Sequence, residues 1–190
     1  MSRFTTALGI TLGLLASPRA QAPAATPPRL VVLVVVDQMR WDYLEHYKDR
    51  VHLGFDRLLR GGAVFSEARY PYAKTETAQA HALMTTGQPP SISGITGDSW
   101  YDRATRATVT AGDSNVHKLV GTTTAGGSPE QLLADTVGDL MKQRDPATIV
   151  LTASWKRYSA ELNGGHHADA AYWFDNGTGH MVTSDYYMPR

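Results

Sequence analysis

Leu30-Val31-Val32-Leu33-Val34-Val35-Val36-Asp37 is an unbroken aliphatic run closed by a carboxylate. A largely β-branched run without polar alternation predicts a strand buried on both faces, the pattern of a parallel sheet. Asp37 then falls at the sheet's carboxyl edge, where open α/β sheets place ligands. A carboxylate there needs a partner, and a metal ion is one choice.

Downstream, helix-like spacing over Trp41–Leu44 and Phe55–Arg60 runs into the stop Gly61-Gly62, and Ala63–Ser66 reads as a short strand. Thr77 stands at the start of a predicted helix over Ala78–Thr86, which Gly87 ends. Gln88–Gly97 reads as loop, and so does Gly121–Ser128, which lacks the lysine of a phosphate-binding P-loop. Ser128-Pro129-Glu130-Gln131 predicts a capped helix whose mainly apolar face holds Leu132, Leu133, Thr136, Val137, Leu140 and Met141. Thr148–Thr152 follows as a second buried strand, and this order of strand, helices and strand favours a parallel sheet in an α/β fold. Ala171–Phe174 reads as a strand entering an Asn176-Gly177 hairpin turn, which explains the Asn-Gly-Thr sequon without glycosylation.

The 190 residues, 42% hydrophobic, suit one ordinary domain. Eighteen basic and eighteen acidic side chains cancel, so global charge gives no nucleic-acid or anionic-membrane signal. A basic start, the short apolar stretch Leu8–Ala16 and Ala20-Gln21-Ala22 predict a secretory signal over residues 1–22, too short and too broken to be a membrane span. A proline-rich linker over 23–29 leads into the domain over 30–190, with periplasmic or secreted localisation and no membrane span once the signal is removed. The chain has no cysteine, which excludes disulfides and thiolate chemistry and leaves oxygen and nitrogen ligands for a metal.

Thr77 has two readings. A threonine at a helix start is commonly a cap. The same helix end also supplies amide donors and a positive dipole to a phosphate, and a hydroxyl stripped of its proton becomes a nucleophile. Asp37 and Thr77 could share one metal ion. His81, one turn on, is read as packed rather than ligating. The run His166-His167 with Asp169 resembles a metal cluster, but adjacent histidines on an extended chain face opposite ways, so a polar loop is the reading. Lys156 and Arg157 follow the second strand, either as a solvated pair or as charges that neutralise a phosphoryl group.

Taken in order, Val35-Val36-Asp37-Gln38-Met39-Arg40, Thr75-Glu76-Thr77 with His81, Thr86-Gly87, and Ser154-Trp155-Lys156 leading to Gly164-Gly165-His166 resemble the secreted, phosphate-irrepressible alkaline phosphatases. These belong to the alkaline phosphatase and type I phosphodiesterase superfamily. The resemblance implies an alkaline-phosphatase-like, mainly parallel sheet flanked by helices, apparently truncated. It implies a two-zinc site with Asp37 and Thr77 as metal ligands, Thr77 as the nucleophile that becomes phosphothreonine, and Lys156 holding a phosphate oxygen. The implied substrates are small-molecule phosphate monoesters. Phosphodiesters or nucleotide pyrophosphates on the same machinery are the alternative, and a catalytically inactive folding or binding module is another.

Three departures stand out. Asp98 occupies the family's phosphate-binding asparagine position, and an ionised carboxylate offers no donor and repels a dianion. Tyr158 stands where the family has an arginine, with Arg157 one place early; on an extended segment that shift points the Arg157 side chain to the other face, away from the substrate-binding place the resemblance gives it. The remaining family metal ligands belong to a later segment than Arg190, so the resemblance covers the N-terminal part of the catalytic domain.

Overall fold

The computed structural model describes residues 28–188; the predicted signal over 1–22 and residues 23–27 of the linker lie outside that range. Two compact units divide the chain, residues 1–38 and 39–190. In the first, the aliphatic run has no regular secondary structure and joins no strand ladder among the described residues, and Leu30–Val34 and Val36 are exposed. The predicted buried strand is therefore not formed there. A strand needs neighbours for its backbone groups and its faces, and among the described residues this run is given neither.

The second unit opens with two short helices, α1 (Tyr43–His46) and α2 (Gly54–Gly61). The strand expected at 63–66 is absent, and those residues are irregular and exposed. Helix α3 (Thr77–Thr86) ends at Gly87, whose left-handed φ of 67° suits glycine. The stretch expected as loop contains the single turn α4 (Pro90–Ser93), begun by a proline and ended by Gly94. Two antiparallel hairpins follow, β1 (Ser99–Asp102) with β2 (Ala107–Thr110), and β3 (Asp113–Lys118) with β4 (Ala125–Gly127).

Helix α5 spans Val137–Arg144 rather than starting at Ser128. Thr136 caps it, accepting from Asp139 N–H while the Asp139 carboxylate accepts from Thr136 N–H. That reciprocal box outcompetes Ser128-Pro129, where the chain makes only a turn, Leu132 N–H to Pro129 O at 2.8 Å. The chain then runs β5 (Leu151–Ser154), α6 (Arg157–Gly164) and β6 (Ala170–Asp175), with β5 and β6 parallel in register Leu151↔Ala170 to Ser154↔Trp173. The parallel pairing is of the predicted kind but joins other elements. The expected unit runs from the 30–37 strand to a buried strand at Thr148–Thr152, whereas β5 starts at Leu151, leaves Ile149 and Leu151 exposed, and is followed by a helix the sequence pattern does not signal. β7 (His180–Val182) adds antiparallel to β6. Their connection is the four-residue loop Asn176–Gly179, organised by Asp175, rather than a two-residue Asn-Gly turn.

Two apolar clusters form the core. One holds Ala78, Ala82, Ile95, Ala111, Leu132 and Leu162, with Trp100 and Tyr158 packed against it. The other holds Ala160, Ala171, Trp173 and Tyr187. Small residues on α3 let α6 approach closely, and Thr85 Oγ1 donates across to Leu162 O at 3.0 Å.

Two buried polar positions beside α6 have clear energetic consequences. Glu161 is fully buried, neither carboxyl oxygen has a hydrogen-bond partner among the described residues, and Arg157 Nε lies 3.9 Å away. Burial pushes its carboxyl up to about 8, against the pull of Arg157 and with the help of Asp113. The folded chain thus keeps a proton that the unfolded chain releases near 4.5. The resulting stability is full below that pH and lost as pH rises toward 8, on the order of a few kcal/mol. Asp139 is also fully buried, yet it is satisfied. Desolvation opposes its charge, but bonds from His166, Thr136 and His167 N–H hold its carboxyl well below the usual range. Gly165, at φ 75°, passes so close that a Cβ would strike both Asp139 and Thr136.

Thermal melts across about pH 5 to 8 should show wild-type stability falling, while Glu161→Gln flattens the profile and is the more stable protein at the alkaline end. An unchanged profile in the variant would remove Glu161 as the cause. In urea denaturation Gly165→Ala should cost more than about 2 kcal/mol, whereas Gly179→Ala should cost about 1–2 kcal/mol from backbone strain alone. Gly179 has a similar φ of 73° with nothing within 4 Å, so equal costs would disprove the collision at Gly165.

Candidate active site

The start of α3 is assembled from three segments. Glu76, not Thr77, is the N-cap, and Glu76 with Gln79 forms a capping box, Glu76 N–H reaching Gln79 Oε1 at 3.4 Å. Lys74 Nζ lies 2.8 Å from Glu76 Oε1, and the other Glu76 oxygen accepts from Asp98 N–H at 2.8 Å. Gln79 also donates to Thr96 O. Thr77 therefore sits in the first helical position with its capping duty taken over by its neighbour. The pattern Glu76-x-x-Gln79 was the sequence signal for this, although glutamate is not among the favoured caps.

The Asp98 side chain completes the junction. Its Oδ1 accepts from Ala78 N–H at 2.8 Å, the second amide of α3, and its Oδ2 accepts from Tyr158 OH at 2.9 Å. A carboxylate at a helix N-terminus is favoured by the exposed amides and the dipole.

Helix α6 delivers the facing groups. Lys156 is its N-cap residue, and its Nζ donates to Thr77 Oγ1 at 2.8 Å. Tyr158, two residues on, reaches Asp98. Because α6 begins directly after Lys156, the residues around Arg157 are helical rather than extended. One residue step turns the side chain by about 100° instead of reversing it. Arg157 pairs with Asp113, donates to Gly126 O at 3.4 Å and approaches Glu161. Its charge is thus engaged by the β3–β4 hairpin and its own helix.

Lys156–Thr77 and Tyr158–Asp98 thus form two hydrogen-bonded pairs at the start of α3, the second anchored on the amide of Ala78 next to Thr77. Asp37 belongs to the first unit, where its Oδ1 accepts from Gln38 N–H at 3.1 Å. His81 is buried on α3, with Nδ1 3.1 Å from Asn163 Oδ1 on α6, the packed role expected for it. His166 lies in the loop between α6 and β6, the polar-loop placement expected for it, and is tied into the fold there. Its Nε2 is 2.9 Å from Leu132 O and its Nδ1 3.5 Å from Asp139, and the hydrogen bond to Asp139 raises the imidazole's pKa against the opposing effect of burial.

Asp135, Asp139 and His166 bring ligand-type atoms within 4.8 Å of one another. Asp139 already accepts from Thr136 and His167, which is a structural use of that carboxylate. For a catalytic zinc ion, Asp37 and Thr77 offer two oxygen donors, short of the three protein ligands such an ion takes. These residues alone do not complete the shell of either expected ion.

A family model of type I phosphodiesterases and nucleotide pyrophosphatases matches residues 31–190. The alkaline phosphatase PhoV of Synechococcus elongatus is 39% identical over 167 residues, 86% of this chain and 30% of that protein. The alkaline phosphatase PafA of Elizabethkingia meningoseptica is 39% identical over 174 residues, 88% and 32% of the two chains. Its wild-type crystal structure superposes with a TM-score of 0.79 at 37% identity, covering 82% of this chain and 31% of that one. The chain thus has the alkaline phosphatase fold over the part it covers, and spans about a third of the length of these relatives. A PafA variant of the same TM-score replaces a threonine, an asparagine 21 residues later, a lysine, and an arginine two residues after it. Thr77 and Asp98 are likewise 21 residues apart, and Lys156 and Tyr158 two apart.

Proposed function

The chain belongs to the type I phosphodiesterase and nucleotide pyrophosphatase family, and on that premise we propose that it carries the nucleophile portion of a phosphate-ester hydrolase, with Thr77 as nucleophile and Lys156 as its electrostatic partner. The observation that carries this reading is the 2.8 Å bond from Lys156 Nζ to Thr77 Oγ1 at the first position of α3. Phosphate monoesters are the substrate class favoured by relatives named alkaline phosphatases. Export to the periplasm or medium fits the N-terminal sequence, and among the described residues no helix is long and apolar enough to cross a membrane.

The chemistry follows from charge. As Thr77 Oγ1 attacks phosphorus in line, its proton passes to solvent water and its O–P bond forms while the ester P–O bond breaks, and the leaving alkoxide takes a proton back from that water. Negative charge concentrates on the equatorial phosphoryl oxygens. The Lys156 ammonium first steadies the ionising hydroxyl and then lies beside those oxygens, a preorganised cation where charge develops. The outward-facing amides at the start of α3 add positive potential. Water then attacks phosphorus, releases phosphate and restores the Thr77 hydroxyl. Metal ions, which Asp37 and Thr77 would help to hold together with ligands beyond those two, would supply Lewis acidity for the same charge.

With p-nitrophenyl phosphate and the zinc-supplemented protein, Thr77→Ala should lower kcat by about 10³-fold or more, and Thr77→Ser should recover part of it. Lys156→Ala should cost about 10²–10³-fold in kcat. Full activity in Thr77→Ala would remove the nucleophile assignment.

A further inference from the structure

The Asp98–Tyr158 hydrogen bond joins the two positions at which this chain departs from the PafA quartet, which has an asparagine and an arginine in corresponding sequence places. The two replacements form one contact. Going from amide and guanidinium to carboxylate and phenol removes a fixed positive charge and adds a negative one. The added charge is held in place on both oxygens, by Ala78 N–H at 2.8 Å and Tyr158 OH at 2.9 Å. Ala78 adjoins Thr77, so the carboxylate occupies a helix-start amide directly beside the hydroxyl that Lys156 engages. Arg157 pairs with Asp113 and Gly126 O, an arrangement that does not return a guanidinium to the Tyr158 position.

We propose that Asp98 and Tyr158 act as one charge-discriminating pair that disfavours dianionic phosphoryl groups at Thr77 relative to monoanionic ones. The proposal rests on the reading of Thr77 as the phosphate-facing group and amends its substrate preference, away from the monoesters that the relatives' names suggest and toward diesters. A second negative charge on the ligand doubles its repulsion from a carboxylate at fixed distance. A monoanionic diester feels half of that and needs fewer donors. Tyr158 contributes by holding Asp98 in place, so its effect depends on Asp98 being present.

The test reads binding at Ala78 directly. Inorganic phosphate, a dianion at about pH 8, and dimethyl phosphate, a monoanion, are titrated into the zinc-supplemented chain while the Ala78 amide resonance is followed. Asp98→Asn keeps an oxygen for Ala78 N–H and preserves shape. It should tighten phosphate by about tenfold or more and change dimethyl phosphate by less than about threefold. Tyr158→Phe should shift the phosphate-to-dimethyl-phosphate ratio in wild type but not in the Asp98→Asn background. Equal phosphate affinity in wild type and a folded Asp98→Asn protein overturns the proposal, as does failure of phosphate to perturb Ala78 in both. Retained turnover of p-nitrophenyl phosphate by Thr77→Ala would instead sink the nucleophile reading while the binding ratio is still read.

Discussion

The close packing of α3 on α6 is the constraint on which the candidate site depends. Alanines 78 and 82 present almost no side-chain bulk, Leu162 is fully buried against them, and Thr85 donates to Leu162 O. With the two helices held at that separation, Lys156 and Tyr158 at the start of α6 are brought to Thr77 and Asp98 at the start of α3. A loop carrying the same residues would have to order them for each encounter. Two capped helix ends hold them in advance.

The two ends are fixed by different chemistry. At α3, the Glu76 carboxylate accepts from Asp98 N–H, the Asp98 carboxylate accepts from Ala78 N–H, and the Thr77 hydroxyl accepts from Lys156. At α6, Arg157 reaches the β3–β4 hairpin, and its neighbour Glu161 is buried between Gly112 and Gly127, where a Cβ on either glycine would meet the carboxyl. A buried acid without hydrogen-bond partners is a cost to the fold, and it lies one turn from the residues that organise the site.

Much of this was legible in the sequence where a local signal coincided with a tertiary demand. Helix α3 could be read because its glycine stop and small apolar face agree, and strands near β5 and β6 because both are short and apolar, whereas α6 between them, begun at Lys156 without a side-chain cap, could not. The Ser128 helix start was misplaced because a serine–proline pair satisfies the capping pattern equally well in a turn, and only packing selects Thr136 with Asp139. The aliphatic run at 30–36 shows the limit of composition, since a strand is completed by neighbours the sequence pattern cannot supply. For the site, Thr77 and Lys156 were visible as residue types at a helix start and a strand end. The Asp98–Tyr158 contact spans sixty residues of sequence and no periodicity announces it.

The central claim is that Thr77 takes the phosphoryl group. Acid-quenching the metal-loaded protein during turnover of p-nitrophenyl phosphate and mapping the phosphorylated peptide tests it most directly. Phosphate on Thr77, absent when Lys156 is replaced by alanine under the same brief exposure, is the predicted result. Turnover with no phosphothreonine, or with phosphate on another side chain, would contradict it.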